Sequence, residues 1–191
     1  RLREPSAIRP LKMLLDGEHN ENVMYSLREA LAILGDPTSS ALLESYARGY
    51  YLDLRLAAIP VLGMERSQDS ILLLRELTGD RNPPRIRVSA AGALAELGEV
   101  DEACYRLCLN ALSAPDEVME LGGDTDAVIL GTEPASLQRL SAMALGSMGR
   151  QQAVPYLHRL LPNENGAVRV AAAMGIIQLV GKAIEPPAPR R

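Results

Sequence analysis

A twelve-residue pattern repeats along this chain, and it leaves little freedom for the fold. Its clearest copy runs from Arg87 to Gly98. With Arg87 as position zero, small or apolar residues stand at +3, +4, +6, +7 and +10 (Ala90, Ala91, Ala93, Leu94, Leu97), and glycine stands at +11. That spacing is one face of an α-helix closed by a glycine C-cap. Starting at Gln138, the same positions hold Ser141, Ala142, Ala144, Leu145, Met148 and Gly149. Arg169 opens a copy with Ala172, Ala173, Ile176 and Leu179, whose glycine comes one place late at Gly181. Met24 opens one with Leu27, Ala30, Leu31, Leu34 and Gly35, and Arg55 opens one that keeps Ala58, Ile59, Val61 and Leu62 and then degenerates. Successive openings lie about 31 residues apart, a period in the range of two-helix repeats. The step from Arg87 to Gln138 is the exception, longer by an insertion of about 20 residues.

A second apolar segment precedes the first copy and follows each copy but the last: Ile8 to Leu15, Ser40 to Ala47, Ile71 to Leu77, Ala103 to Leu112 and Val154 to Leu161. Breakers fall where turns are needed, at Pro37, Pro83-Pro84, Pro115, Pro134 and Pro162. Asp36 before Pro37 reads as an N-cap with proline in the first helical position. Pro60 falls inside a helix and is expected to kink it. The small residues at +3, +4 and +6 let neighbouring helices approach closely.

A two-helix unit of this period, whose first helix reads Arg-x-x-Ala-Ala-x-Ala-Leu-x-x-Leu-Gly, resembles the short bacterial HEAT repeats of the phycobilisome-lyase-like class. The resemblance covers nearly the whole chain and is best at Arg87 to Gly98 and Gln138 to Gly149. It implies an all-α, right-handed α–α superhelix of about five repeats over residues 1–184, interrupted by an insertion at 115–134 and followed by a Pro-rich tail at 185–191. That tail reads as disordered or as a linker. Tetratricopeptide and ankyrin repeats fit worse, because their signatures are missing. Both ends fall inside a repeat, which suits a piece of a longer chain.

Composition agrees with thin layers of closely packed helices. The chain has no Phe and no Trp, and its six aromatics are all Tyr. A net charge of −4 disfavours nucleic acid, whose binders carry a basic excess. Cys104 and Cys108, one turn apart, read as buried free thiols. No apolar run is long enough to span a membrane. A cytoplasmic setting is favoured, although a missing signal peptide weighs little in a chain that starts at Arg1 without an initiator Met.

Motifs for catalysis or cofactor binding are missing, and neither an enzyme activity nor a cofactor is expected. The fragments Asp16-Gly-Glu-His19 and Asp124-Thr-Asp126 have too few ligands for zinc or calcium. Arg55, Arg87 and Arg169 read as structural side chains that bond to acids or carbonyls at the turns between repeats, with Asp53, Asp80 and Glu164 as candidate partners. The leading functional expectation is a non-catalytic scaffold that binds a protein or peptide on its repeat surface. Its rivals are a bilin-lyase-like enzyme, on resemblance alone, and a regulatory or spacer segment of a larger protein. Excision of alkylated DNA bases, known among similar repeat proteins, would want a basic groove and aromatic residues to hold the base.

Three groups are candidates for partner contact. The second helices carry one or two bases each, Arg9 and Lys12, Arg48, Arg75, Arg106, then His158 and Arg159; these form either a basic stripe or separately solvated charges. Tyr50 and Tyr51 sit at a turn, where a tyrosine pair anchors a partner or, more often, packs over a helix end. The insertion holds Asp116, Glu117, Glu120, Asp124, Asp126 and Glu133 and no base; without it the chain would carry +2. Its apolar stretches Val118 to Leu121 and Ala127 to Leu130 flank Gly122-Gly123, which suits a small β-hairpin. One reading makes it the partner-specific element. A sharper one docks its carboxylates on Arg75, Arg106 and Arg159.

Overall fold

The structure is a computed structural model that describes residues 4–121 and 134–184. All regular structure among these residues is helical, without a strand. The helices are α1 (Ile8–Asp16), α2 (Glu21–Ile33), α3 (Pro37–Arg48), α4 (Leu52–Glu65), α5 (Gln68–Leu77), α6 (Pro84–Leu97), α7 (Glu102–Ser113), α8 (Pro115–Leu121), α9 (Pro134–Met148), α10 (Val154–Arg159) and α11 (Gly166–Ile184). Ten of them coincide with the expected repeat helices. The extra one, α8, is the start of the insertion. The expected hairpin strand at Val118 to Leu121 is therefore a helix: Pro115 occupies its first position and Asp116 and Glu117 its first turn, where acids are favoured. Residues 122–133 and the tail 185–191 lie outside the described residues.

The helices gather into two compact units, Arg1–Glu76 and Leu77–Arg191. In the first, α2 packs on α1, α3 and α4, and α3 packs on α4. In the second, α9 lies between α6 and α11 and also meets α7 and α8, while α10 packs on α11 and α7.

Turn chemistry explains where the first helices stop. Gly35, Gly98 and Gly149, all at +11, have φ of 94°, 80° and 72°. A left-handed residue there lets the next amide bond back into the helix: Glu99 N–H donates to the Leu94 carbonyl at 2.9 Å, and Asp36 N–H to Leu31 at 2.9 Å. The copy opened by Arg55 holds Arg66 at +11. Among the described residues Arg66 is the one positive-φ residue other than glycine, at 63°. The degenerate copy thus keeps the backbone of the repeat after losing its glycine. Gly181 does not act as a cap, because α11 continues through it. Helix α4 likewise runs through Pro60.

Zero-position side chains close the ends of earlier helices. Arg55 Nε donates to the Ala47 carbonyl at 2.9 Å, Arg87 Nε to Thr78 at 3.2 Å, Gln138 Nε2 to Leu112 at 3.2 Å, and Arg169 Nη1 to Asn163 at 2.9 Å. The last carbonyls of a helix lack intrahelical partners, and the first three bonds satisfy such part-buried groups, while the Arg169 bond is exposed and falls in the turn after α10. Arg87 also reaches the Asp80 carboxylate at 2.5 Å, as expected. Arg169 uses the Glu164 backbone carbonyl (3.0 Å) rather than a carboxylate.

Small residues set the spacing of the second unit. A Cβ added to Gly146 on α9 would lie 2.7 Å from Cα of Gly175 on α11, and one added to Gly175 would lie 2.8 Å from the Ala142 carbonyl oxygen. A Cβ on Gly92 of α6 would meet Ala144 of α9 at 3.3 Å. Ala90, Ala91, Leu94, Ala142, Leu145 and Ala172 are buried as expected; Ala173 is only half-buried, and Ala171 is buried beside it. Cys104 and Cys108 are buried thiols, and burial raises the Cys108 thiol pKa far above its ordinary range.

Candidate functional site

Several bases of the second helices have acidic or aromatic partners. Lys12 pairs with Asp36, a buried N-cap whose carboxylate also accepts from Ser39 N–H at 3.0 Å. Burial alone would raise the Asp36 pKa, but the bonds from Lys12 and Ser39 outweigh it and leave the pKa lowered. Arg48 pairs with Glu76 within the first unit. On α7, Arg106 bonds Glu102 at 3.3 Å, and Arg150 reaches the same carboxylate at 2.5 Å while its guanidinium lies 4.5 Å from the Tyr105 ring centre. Arg159 lies 5.7 Å from the Tyr156 ring centre, and His158 beside it is exposed. Arg75 is exposed on α5. Asp116 and Glu117 are exposed on α8 and make no ion pair among the described residues. Asp124, Asp126 and Glu133 lie outside the described residues, as does the Glu120 side chain, so the proposed docking of the insertion's carboxylates falls there too.

Tyrosine is where the first unit departs from the second. Tyr25, Tyr46, Tyr50 and Tyr51 all belong to it. Tyr50 and Tyr51 do not pack over a helix end, the commoner expectation for such a pair. They are 84% and 70% exposed, and their rings meet edge to face with centres 5.9 Å apart. Gly49 and Tyr51 have extended ψ values, and Tyr51 occupies the N-cap of α4 without capping it. The turn between α3 and α4 therefore holds both rings out of the core.

Four residues before Tyr50, Tyr46 stacks on Tyr25 of α2, with centres 6.1 Å apart and planes at 21°. This pair lines an open groove of about 670 Å³ with Met24, Arg28 and Leu54, rimmed by Glu18, His19, Glu21 and Asn22. The Tyr25 hydroxyl is buried without a hydrogen-bond partner in good geometry. Burial, with the nearby charge of Glu29 and with Tyr46, pushes its pKa up to about 12. The lining mixes apolar and aromatic side chains with polar and charged ones. The groove suits a chain segment with apolar side chains better than a compact anion or a metal ion. Among the described residues no cluster of His, Cys, Asp and Glu could hold a metal, and no helix is long and apolar enough to cross a membrane.

Sequence reasoning singled out Tyr50 and Tyr51 and missed Tyr25 and Tyr46. No local signal pointed to them: Tyr50 follows the extended Gly49 beyond the end of α3, so its spacing from Tyr46 is not a helical one. Compared with known proteins, the chain matches no family model and no curated protein.

Proposed function

We propose that the chain is a HEAT-type α-solenoid that works as a non-catalytic scaffold and takes a protein or peptide against the tyrosines of its first unit. The fold part of this reading draws support from the zero-position caps, from the left-handed backbone that closes the first helices, and from the stacking of α6, α9 and α11. The functional part rests on one observation: two adjacent tyrosine rings stand exposed beside a groove-bearing helix layer. Tyrosine offers a large contact area with few rotatable bonds to freeze and a hydroxyl that tolerates both water and burial, which makes it a common anchor at interfaces. The net charge of −4 favours a protein or peptide over nucleic acid.

Panning a random-peptide display library on the whole chain tests the reading. Enriched peptides are expected to bind at least about tenfold more weakly to the Tyr50→Ala/Tyr51→Ala double variant, a loss of about 1.4 kcal/mol or more. Enriched peptides that bind the double variant and the parent equally would remove the tyrosines from the site.

A further inference from the structure

One face of α11 is exposed and apolar. The faces that join the first helices of the second unit obey a fixed register. Gly92, at +5 of α6, meets Ala144 of α9; Ala142 and Gly146, at +4 and +8 of α9, meet Gly175 of α11. Positions near +1, +5, +8 and +12 therefore look from one first helix towards the next. On α11 those positions are Val170, Met174, Ile177 and Gly181. They are exposed, with Val170 at 60%, Met174 at 49% and Ile177 at 69%, and a Cβ on Gly181 would meet nothing within 4 Å. Ala173, Gln178 and Val180 flank them without a charge. Arg169 is turned back onto the carbonyls of Asn163 and Glu164. A solvated helix face normally carries charged or polar residues, and this one has the composition of a packed seam.

We propose that a second copy of this chain covers this face, α11 against α11, in a two-fold symmetric antiparallel pair. The face continues the stacking by which α6 packs on α9 and α9 on α11, so its register is already that of a helix seam. Its spacing also reads the same in both directions: steps of four, three and four residues separate 170, 174, 177 and 181. Reversing one copy therefore sets Met174 against Ile177 of the second copy and Val170 against its Gly181, where open space receives the larger side chain. A two-fold interface must match itself in this way. A single helix pair is a small interface, so a dimer that dissociates on dilution is expected rather than a permanent one.

Sedimentation equilibrium of the full chain tests this. The parent is expected to give a dimer with a dissociation constant of about 1–100 μM. Ile177→Glu, at an exposed site that accepts a good helix former, should leave the helical circular dichroism unchanged and weaken dimerisation by at least about tenfold. Gly181→Leu should do the same by filling the notch, since the isolated helix has room for the added side chain. Met13→Glu, exposed on α1, should leave the dimer unchanged. A parent that stays monomeric across that range, a dimer that survives both α11 variants, or species that grow past a dimer with concentration would overturn the proposal. The tyrosine reading is independent, because Ile177→Glu should still bind the selected peptides.

Discussion

The two units of this chain obey the same positional rule with residues of different size. In the second unit, positions +3, +4 and +6 hold Ala90, Ala91 and Ala93, then Ser141, Ala142 and Ala144, then Ala172, Ala173 and Gly175. In the first they hold Leu27, Arg28 and Ala30, then Ala58, Ile59 and Val61. Where the side chains are minimal, backbones meet: α9 and α11 come so close at Gly146 and Gly175 that neither residue has room for a Cβ. Where they are larger, Arg28 and Met24 line an open groove with Tyr25, Tyr46 and Leu54. One backbone plan thus supports two surfaces. The small-residue version uses its helix faces for packing, and the large-residue version leaves part of them for contact with something else.

The largest effect is expected where the backbones touch. Gly146→Leu puts a side chain where Cα of Gly175 already stands, so α9 and α11 must move apart. Overpacking of this kind costs about 3 kcal/mol or more, and Ala142→Leu on the same face should cost about 1–3 kcal/mol. Urea denaturation of both variants against the parent measures the loss. A loss below about 0.5 kcal/mol for Gly146→Leu, within the range of an ordinary surface change, would show that the contact is loose and that residue size does not set the difference between the units.

Much of this was legible in the residues. The period, the helices, the +11 glycines, the buried thiols and the structural role of the zero-position arginines all follow from local patterns that one helix and its own turn decide. The groove was not legible, because it depends on Tyr25 and Tyr46 meeting across two helices that carry no shared motif. The pairing of Arg150 with Glu102, from a later helix, was hidden for a like reason, whereas that of Arg106 with the same acid is a plain i, i+4 spacing on α7. A column of bases in a repeat alignment shows where charges recur and says nothing of the acids that answer them. Val118 to Leu121 misled because a short apolar run reads equally as strand or helix, and the Pro-Asp-Glu start that decides it belongs to helix-capping rather than to turn chemistry.

An effect of about 1 kcal/mol is expected at the left-handed caps, where the units again differ. Gly98→Ala adds a Cβ at φ of 80° with no clash around it, so its cost is purely the backbone conformation, about 1 kcal/mol. Arg66 already bears that cost at φ of 63° in the first unit. Arg66→Gly should therefore leave stability level or raise it by up to about 1 kcal/mol, the opposite sign to the usual arginine-to-glycine change near a helix. Thermal melts of the two variants read the pair, and a shift of about 4 °C per kcal/mol is within reach of such a measurement. A clear destabilisation by Arg66→Gly would mean that its side chain does more than occupy the turn.

The smallest effects concern one unpaired hydroxyl in each unit. Ser141 Oγ is buried between helices at a position where the other copies of the second unit carry Ala90 and Ala172, and it has no partner. Ser141→Ala removes an uncompensated desolvation and improves helix propensity, so a gain of about 1 kcal/mol is expected. Tyr25 differs because its ring is one half of the Tyr25–Tyr46 stack, which Tyr25→Phe keeps, and only the hydroxyl goes. Its change at neutral pH should stay within about 0.5 kcal/mol. Alkaline solution separates the two hydroxyls. Tyr25 is held up to about 12 from an ordinary 10.0, mainly by burial, so the folded chain keeps a proton that the unfolded chain loses. The stability tied to that proton is complete below about pH 10 and declines as pH rises from about 10 towards 12. Tyr25→Phe should flatten part of this decline, and Ser141→Ala should leave it unchanged. Urea denaturation at about pH 7 and pH 11 measures both. A loss above about 1 kcal/mol for Tyr25→Phe at neutral pH would show that the hydroxyl is bonded to Glu29, one turn along α2.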